Sequence, residues 1–393
     1  MRIVEIETVG HGGLAHYAFN LSVALLDRGH QVTLVTASDY ELAARAAERA
    51  DLELLRPIAR RSAWGHGGRP GARGRLLRKV EAVWDAIAVA RLCRRLRPDL
   101  VHLHCNHPIA LLYLQRLRGS GIPIVYTAHV VRPHEPVAFE ASIYRRIHRL
   151  ADLVVAHSAV DRDRLCDESG LDRERIAVLP HGEYGFFLPG DTTATRRSAR
   201  AALGIREDER VALFCGYSRE YKGLDGLLDA GPAVAAEVPA ARLVVVGDPV
   251  RLTAPRRQSF ERSLATLGAI HRLEYVPFDE VGRYFALADA LVMPYRRISQ
   301  SGVLFLALAS GLPIVATAVG ALPEMLRNGE SALLVPPESP GELARALSAV
   351  LSRPDLAARL SAGGRRVARD HSWPSIAGRT EEAFSRLLAR QPR

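Results

Sequence analysis

Two cations follow a predicted strand, in a position where they could bind phosphate. The segment 214–223 begins at the end of a strand predicted at 211–215, and it carries Arg219 and Lys222. A guanidinium offers a planar fork of donors and an ammonium offers a compact charge, and both suit phosphate oxygens. Lysine is otherwise nearly absent, because 51 of the 53 basic residues are arginine. The pair predicts an anion site, and two solvated surface cations are the alternative.

A second segment combines small polar residues with the start of a helix. Residues 295–303 follow a strand predicted at 290–293 and precede an apolar helix predicted at 303–310. A glycine and neighbouring serines would leave the first amides of that helix exposed, and a helix N-terminus attracts anions. Simple capping of the helix by Ser299 or Ser301 is the alternative.

A glycine-rich loop, Gly10-His11-Gly12-Gly13, follows the first predicted strand and opens a helix that runs to about Arg28. Glycines there let a ligand approach the backbone. The loop lacks the full G-x-G-x-x-G spacing, and no acidic residue clearly ends the second strand. A dinucleotide oxidoreductase is therefore disfavoured, and a plain tight turn is the alternative.

Histidines gather at two predicted strand ends. His102 and His104 share one face of a strand, His107 lies in the loop beyond, and His129 and His134 follow the next strand. A metal site is conceivable, but no cluster of Asp, Glu or Cys has the spacing of metal ligands. The pattern predicts a polar lining that contacts a sugar or an acceptor.

The triplet Asp161-Arg162-Asp163 has the form of a metal-binding D-x-D motif. It falls in a helical pattern at 159–167, where residues two apart do not face each other. We therefore predict a solvated helix face.

Strands alternate with helical stretches along the whole chain, which predicts an α/β fold with parallel sheets. Several strands are short apolar runs, as expected when both faces of a sheet are covered. The predicted strands are 2–8, 31–36, 100–104, 123–127, 153–156, 176–179, 211–215, 242–246, 273–276, 290–293, 313–317 and 332–335.

A chain of 393 residues is too long for one ordinary core, so two domains are expected. The boundary falls where Gly, Pro, Thr, Ser and Arg replace any helical or strand period, up to about Ala199. We predict an N-terminal domain at 1–185, a linker at 186–205, a second domain at 206–373 and a C-terminal helix at 374–393 that packs back on the first domain.

The net charge of +10 is concentrated between Arg56 and Arg97, where 12 basic residues face only Glu81 and Asp85. Residues 73–97 form a basic amphipathic pattern, which fits either a helix that meets anionic lipid or an ordinary packed helix. Nucleic acid is disfavoured, because a binding groove needs interleaved aromatic residues and only Trp84 is present.

Three features indicate a cytoplasmic protein, with membrane contact at the inner face through 73–97 left open. No apolar run reaches 18 residues, so no span is predicted. Residues 1–7 form a strand pattern and not a signal peptide. The four cysteines are scattered and contain no CxxC pair.

Taken in order, these segments resemble the retaining glycosyltransferases of family 4, which have the GT-B architecture. The matching segments are Gly12-Gly13, 126–129, 156–158, 178–182, the Arg219/Lys222 motif, 311–317, 320–324 and 333–336. The resemblance implies two Rossmann-like domains that face a cleft, with a nucleotide sugar bound mainly by the C-terminal domain and the acceptor mainly by the N-terminal one. It also implies that no metal or other cofactor is needed.

The resemblance assigns roles to individual residues. Those implied in donor binding are Gly12, Gly13, Gly216, Arg219, Lys222, Val276, Phe278, Gln300, Ser301, Gly302 and Val303. Those implied in acceptor binding are His11, His104, His107 and His129. His129, Arg219 and Lys222 are the implied catalytic residues.

The sequence departs from the family at one place. Two glutamates eight residues apart are usual there, and Ile298 and Leu306 hold those positions. The chain instead resembles a subgroup with Gln300-Ser301-Gly302. The departure removes the carboxylates expected near the ribose and the donor sugar.

Other functions stay open at this point. One is a nucleotide-sugar epimerase of the same architecture, although no carboxylate pair is obvious. Another is a non-catalytic basic protein that binds nucleic acid or lipid. The acceptor of a transferase could be a saccharide, a lipid-linked saccharide or a natural product.

Overall fold

The computed structural model of the chain describes residues 1–59, 72–131, 140–188, 190–216, 219–249 and 253–390, with backbone alone for 72–79, 140 and 278–279. This part of the chain forms two compact units. Unit 1 comprises Met1–Gly182 and Ser372–Arg393, and unit 2 comprises Glu183–His371.

Each unit is built on one parallel sheet. The strands are β1 Arg2–Glu7, β2 Gln31–Ala37, β3 Glu53–Ile58, β4 Leu100–His104, β5 Ile124–Thr127, β6 Leu153–Ala156, β7 Ile176–Val178, β8 Arg210–Cys215, β9 Ala241–Val246, β10 Ile270–Arg272, β11 Ala290–Met293, β12 Ile314–Thr317 and β13 Leu333–Val335. The described strands of unit 1 run in the order β3-β2-β1-β4-β5-β6-β7, and those of unit 2 in the order β10-β9-β8-β11-β12-β13. Every pairing between these strands is parallel.

Helices connect the strands. They are α1 Gly13–Leu26, α2 Ala43–Ala47, α3 Ala72–Leu96, α4 Ala110–Arg118, α5 Glu140–Leu150, α6 Ala159–Ser169, α7 Thr192–Ala202, α8 Leu224–Glu237, α9 Ala254–Thr266, α10 Phe278–Leu287, α11 Gly302–Ser310, α12 Leu322–Met325, α13 Pro340–Ser352, α14 Pro354–Asp370 and α15 Trp373–Ala389. Helix α15 belongs to unit 1, where it packs against α1. Among the described helices, none combines the length and the apolar composition that a membrane span requires.

The two faces of the sheet in unit 1 differ in polarity. Val4 and Ile6 of β1 enter an apolar core that also contains Leu103 of β4 and residues of α3, α4 and α5. The alternate residue Glu5 points to the opposite face, because successive strand residues alternate between faces. That face carries buried polar groups, including His102, whose ring meets Phe384 of α15 at 5.3 Å between centroids. This polar face of the sheet carries the buried side chains of the candidate site in unit 1.

Helix α3 covers the basic amphipathic stretch at 73–97. Its small residues Ala86, Val89 and Ala90 are buried in the core of unit 1, as in an ordinary packed helix. Its other side leaves Val80 and Trp84 exposed, with 45% and 62% of their surfaces accessible.

Two strands differ from the sequence prediction. The prediction missed β3, an edge strand in which Glu53, Arg56 and Pro57 are exposed. The prediction of a strand at 273–276 is wrong, because β10 lies at Ile270–Arg272 and pairs only with β9 among the described strands. Edge strands tolerate polar residues and proline, so an apolar pattern does not mark them.

The predicted linker at 186–205 contains helix α7, although no helical period is visible before about Ala199. The carboxylate of Asp191 caps the helix by accepting a hydrogen bond from the Ala194 amide at 2.8 Å. Arg196 and Arg200 attach it to Asp289 through contacts of 2.6 Å each. Because arginines rather than apolar residues dock this helix, no apolar period reveals it.

Candidate functional site

The two segments predicted to bind anions flank one point of the sheet in unit 2. Strand β8 has β9 on one side and β11 on the other, so the strand order reverses between β8 and β11. Ligands of open α/β sheets bind outside the carboxyl ends of the strands at such a point. The loop with Lys222 follows β8, and the loop with Gln300 follows β11.

Glycines bring Lys222 over the end of β8. Gly216 has φ +105°, and a Cβ atom on it would lie 2.5 Å from Nζ of Lys222 and 3.3 Å from Cγ2 of Val303. Gly223 has φ +66° and sits so close to Pro294 that a Cβ atom would lie 2.0 Å from the Pro294 oxygen. The ammonium group therefore lies beside the first turn of α11, at the carboxyl end of β8.

Lys222 is a buried cation, with 7% of its surface exposed. Its Nζ lies 5.2 Å from the centre of the Tyr295 ring, within the range of a cation–π contact. Burial lowers the pKa of Lys222, and the charge of Arg219 lowers it further. No carboxylate of the described residues is among the groups that act on it. A buried cation without a carboxylate is well suited to receive an anionic ligand.

A third cation, Arg296, holds this loop in place. The Arg296 amide donates to the Tyr221 oxygen at 2.7 Å, and its guanidinium donates to the Glu220 oxygen at 3.1 Å and to Asp225 at 2.6 Å. These contacts join the loop after β8 to the loop after β11. Arg219 is half-buried, and in the described parts of the chain it forms no ion pair with a carboxylate.

The first turn of α11 keeps its amides available. Ser301 is the N-cap residue, but its side chain makes no capping hydrogen bond. In the described residues, no group accepts a hydrogen bond from the Gly302 or Val303 amides. The side chain of Ser301 therefore does not cap α11, and the backbone amides of Gly302 and Val303 remain available as hydrogen-bond donors.

The side chain of Gln300 is a buried amide without a partner. Neither its nitrogen nor its oxygen has a hydrogen-bond partner, although both atoms are buried. Leaving such groups unpaired is costly and rare in native proteins.

Ile298 and Leu306, at the positions of the family's glutamates, are each 3% exposed and belong to the apolar interior.

The remaining donor-site predictions in unit 2 concern the segment between β10 and α10. Val276 is half-buried in the loop after β10, and Phe278 begins α10 with a side chain outside the described atoms. Residues 217–218 of the Arg219/Lys222 motif also lie outside the described residues.

The glycine loop of unit 1 already donates its amides to carboxylates. The Gly12 amide donates to Glu41, while the amides of Val9 and Gly10 donate to Glu7 at 2.6 and 2.7 Å. Burial raises the pKa of Glu7 to about 7, against the effect of these hydrogen bonds. An anion could reach the Gly12 amide only after Glu41 moved. Gly13 follows as the first residue of α1.

A row of buried side chains connects the ends of β4, β5 and β6. His104 Nε2 lies 2.6 Å from Glu5 Oε2, and His104 Nδ1 lies 3.2 Å from His129 Nε2. His129 Nδ1 lies 3.2 Å from His157 Nε2, and His157 Nδ1 lies 2.9 Å from the Leu179 oxygen. We call Glu5, His104, His129 and His157 the histidine chain.

Aromatic rings cover the histidine chain. The Tyr17 ring of α1 meets the rings of His129, His181 and Trp373 at 4.8, 4.9 and 5.3 Å between centroids. Burial lowers the pKa of His129 well below its usual value, and the neighbouring histidines lower it further. Burial also lowers the pKa of His157 to about 4. The rings of His129 and His157 are therefore neutral near pH 7.

The other histidines are placed differently. His102 is buried beside Glu5 and Thr127, with its Nε2 atom 2.6 Å from the threonine hydroxyl. His107 is exposed, and its Nδ1 accepts a hydrogen bond from the Ile109 amide at 3.2 Å. The Nδ1 atom of His11 lies 3.4 Å from the Val9 oxygen, and His134 is outside the described residues.

Three residues could supply ligands to a metal ion. Glu5, His102 and His104 each offer an atom within 4.8 Å of the others, and all are buried. The atoms of Glu5 and His104 are 2.6 Å apart, whereas two ligands of a tetrahedral zinc ion at about 2.0–2.1 Å lie roughly 3.3 Å apart. The observed separation suits a hydrogen bond.

The predicted solvated face at 161–163 is wrong for Asp161, which is buried. Its carboxylate accepts a hydrogen bond from the Ser158 hydroxyl at 2.9 Å, while Ser158 accepts one from the Asp161 amide at 3.0 Å. Asp163 pairs with Arg162 and Arg173. The triplet therefore caps and braces α6.

Sequence reasoning missed several members of the site in unit 1. Glu5 lies in an apolar strand, and a carboxylate at such a position signals a buried polar network. His157 and His181 stand in segments that resemble the family, but no function was assigned to them. Tyr17 and Trp373 come from helices distant in the sequence, so no local pattern could associate them.

Two family models match this chain. One, described as Glycosyltransferase Family 4, covers residues 11–182, and the other, described as Glycosyl transferases group 1, covers residues 209–353. The D-inositol 3-phosphate glycosyltransferase of Geodermatophilus obscurus is 35% identical over 299 residues, which are 70% of this chain and 63% of that protein. The protein of the same name from a Nocardioides species is 31% identical over 74% of this chain and 68% of its own length.

A solved structure has the same fold. Anabaena HepE, in complex with UDP and glucose, aligns over 98% of this chain and 99% of its own, with a TM-score of 0.76 and 18% identity. The two parallel-sheet units and this likeness confirm the predicted GT-B fold class. The chain spans about two thirds of the length of the curated relatives named above. On the family models and the identity to these relatives, the chain belongs to the family 4 glycosyltransferases.

Proposed function

We propose that this protein transfers a sugar from a nucleoside diphosphate sugar to an acceptor hydroxyl, with retention of the anomeric configuration and without a metal ion. Unit 2 binds the donor through Lys222, Arg219 and the first turn of α11. Unit 1 binds the acceptor near His129. The chain belongs to the subgroup in which Gln300-Ser301-Gly302 accompanies the loss of the paired glutamates.

The buried ammonium of Lys222 is the observation that supports the proposal most strongly. It lies beside Gly216 and Val303, at the strand reversal, and no described carboxylate acts on it. The adjacent helix offers free amides and the positive end of its dipole. A diphosphate would supply the negative charge that this arrangement lacks.

These groups can also account for catalysis. When the bond between the anomeric carbon and the diphosphate oxygen breaks, negative charge grows on the leaving group. Fixed positive groups stabilise that charge, as an oxyanion hole does in other enzymes. The new bond joins the anomeric carbon to the acceptor oxygen, and the acceptor proton passes to the leaving diphosphate on the same face. Lys222, Arg219 and the amides of 300–303 thus take the role of a metal ion.

Gln300 provides a further donor contact in this proposal. Its amide presents one hydrogen-bond donor group and one acceptor, and both lack partners. Hydroxyl groups of the donor can satisfy both atoms. This contact compensates in part for the missing carboxylates at positions 298 and 306.

The comparisons suggest the first substrates to test. HepE has been solved in complex with UDP-glucose, so UDP-glucose is our first candidate donor. Relatives carry the name D-inositol 3-phosphate glycosyltransferase, so D-inositol 3-phosphate is our first candidate acceptor. His11, His104, His107 and His129 remain the proposed acceptor-side residues, and Gly12, Gly13, Val276 and Phe278 the proposed outer donor contacts.

A peripheral contact with the inner face of the cell membrane is part of the proposal. Exposed Val80 and Trp84 on the basic helix α3 support it. An aromatic ring beside arginines suits the interface of an anionic bilayer.

A turnover assay in the presence of EDTA tests the proposal. The protein is incubated with UDP-glucose or another nucleotide sugar and with a panel of acceptors, and the product is analysed for its anomeric configuration. A retained α-linked product from an α-linked donor supports the proposal. An inverted product, an isomerised nucleotide sugar without transfer, or turnover only with added divalent metal contradicts it.

A further inference from the structure

The histidine chain of unit 1 has more hydrogen bonds than its neutral imidazole rings have protons to donate. It has four bonds in series, from Glu5 to His104, His129, His157 and the Leu179 oxygen. Both ends of the series, a carboxylate and a carbonyl, are acceptors. Each of the four bonds needs one proton.

Three neutral imidazoles cannot supply four protons. A neutral imidazole carries one N–H group, so the three rings contribute three. If Glu5 is ionised and every ring neutral, one of the four contacts places two acceptors against each other. Such a contact would be strongly unfavourable at 2.6–3.2 Å inside the protein. One additional proton removes it.

We propose that the histidine chain holds this one additional proton as a His104 imidazolium paired with Glu5, and that Glu5 is thereby a positioning residue for His129. The inference rests on the proposed function for the role of His129 in binding the acceptor. The proton count itself rests on the contacts of unit 1 alone.

The position of the proton follows from the hydrogen-bond count and from the ionisation of Glu5. Glu5 and His104 are both fully buried, and their contact of 2.6 Å is the shortest of the four hydrogen bonds in the histidine chain. Burial alone would raise the pKa of Glu5, but the charges and hydrogen bonds of His102 and His104 lower it to about 2. Burial and the charge of His102 lower the pKa of His104 to about 4, while the hydrogen bond and the charge of Glu5 act in the opposite direction. The count of hydrogen bonds, with Glu5 ionised, therefore places the proton on His104. A carboxylate that stays ionised inside the protein needs a cation beside it. The internal pair has no net charge.

The count also fixes the tautomers. His157 donates from Nδ1 to the Leu179 oxygen, so its Nε2 accepts from Nδ1–H of His129. The Nε2 atom of His129 then accepts from Nδ1–H of His104. Both ring nitrogens of His129 are thus engaged. His129 can meet a ligand through its backbone or its ring edge, but it is not a free general base.

The groups that face the histidine chain include a second imidazole, His102, but a proton on His102 would fill none of the four bonds in the series. No described lysine or arginine is among the groups that shift the pKa of Glu5, His104 or His129. The groups in contact with the histidine chain include His102 on β4, Tyr17 on α1, His181 after β7 and the Leu179 oxygen. Thr127 on β5 contacts His102. Trp373 and Phe384 of α15 contact Tyr17 and His102 and carry no charge.

The variant Glu5→Gln is a matched control for the number of protons in the four hydrogen bonds. The amide of Glu5→Gln can donate one proton to His104 Nε2 and accept one from His102, so three neutral imidazoles then complete the series. All hydrogen bonds survive, but no imidazolium is needed. Leucine in Glu5→Leu keeps the bulk and leaves His104 Nε2 without a partner.

The test is ¹⁵N nuclear magnetic resonance of the full chain, with labelled histidine, at pH 8. An ordinary histidine, with a pKa of about 6.5, is neutral there. We expect one histidine with both ring nitrogens protonated in the wild type and none in Glu5→Gln, while His104→Asn identifies the signal. A wild-type spectrum without a doubly protonated histidine overturns the inference. Metal analysis runs in parallel, and one equivalent of zinc that survives EDTA dialysis also overturns it.

Turnover distinguishes positioning from packing. We expect Glu5→Gln to keep kcat within about threefold, and Glu5→Leu to lose about 100-fold in kcat with KM for the donor unchanged, because a displaced group can cost that much. Equal activity of Glu5→Leu and wild type contradicts the positioning role. If the wild type has no transferase activity at all, the proposed function fails, whereas the proton count is still decided by the spectrum.

Discussion

Replacing Lys222 with methionine should affect the free protein and its complex in opposite directions. Lys222 is 7% exposed and has no described carboxylate partner, so the free protein bears the cost of a buried cation. Methionine fills a similar volume without charge, so the desolvation cost of the cation is removed. Replacement of even a whole buried ion pair by apolar residues is often neutral or stabilising by about 1–4 kcal/mol. We therefore expect the free energy of unfolding of unit 2 to stay the same or to rise by about 1 kcal/mol.

The complex of the Lys222→Met variant with a nucleoside diphosphate should lose several kcal/mol of binding free energy. Removing one partner of a desolvated charge pair costs about 2–5 kcal/mol, and each 1.4 kcal/mol is about tenfold in affinity. We expect nucleoside diphosphates to bind about 30- to 4,000-fold more weakly. At a concentration of about 100 times the wild-type Kd, the ligand stabilises the wild type by about 2.7 kcal/mol and a variant weakened 100-fold by about 0.4 kcal/mol.

Thermal unfolding with and without UDP measures both effects. For a unit of this size, about 2–4 °C accompany each kcal/mol, so the ligand shift should fall from about 5–11 °C to about 1–2 °C. Arg327→Met is the matched control, because it removes a cation from unit 2 whose side chain is 83% exposed. A Lys222→Met protein that is less stable when free, or one that keeps the full ligand shift, refutes the reasoning.

Three further predictions concern single groups. Because burial lowers the pKa of Lys222 and only the cation binds phosphate, UDP affinity should fall as pH rises through that pKa, by up to about tenfold per unit, and Lys222→Arg should abolish the decline; equal titration curves of the two proteins contradict this. Gln300→Ala should raise KM for the nucleotide sugar by about tenfold while UDP affinity changes less than twofold, and equal losses for both ligands would place Gln300 elsewhere. Trp84→Ala should leave the melting temperature unchanged and reduce flotation with anionic liposomes at low salt; no flotation of the wild type removes the membrane contact.

The sequence was most informative where buried strands end in polar residues. β8 and β11 are apolar runs, and the loops that carry Lys222 and Gln300 follow them, so the position of these residues after strand ends could be inferred from the pattern alone. The reversal of strand order between them depends on pairing across the sheet. No local pattern records that pairing.

The site in unit 1 was harder to predict for a related reason. The contact between Glu5 and His104 joins strands almost 100 residues apart, and it exists only because β1 pairs with β4. The covering rings of Tyr17 and Trp373 come from opposite ends of the chain. Helix α7 shows the same limit, because its arginines dock on a carboxylate of a distant loop.

The central claim is that the buried cation and the free helix amides of unit 2 grip a diphosphate. Titration calorimetry in EDTA compares UDP, UMP and uridine on the wild type. We predict one UDP site per chain, binding of UMP at least about tenfold weaker because one phosphate and its charge-assisted contacts are missing, and no measurable uridine binding. Equal affinity for UDP and UMP, or UDP binding only with added divalent metal, would contradict the account.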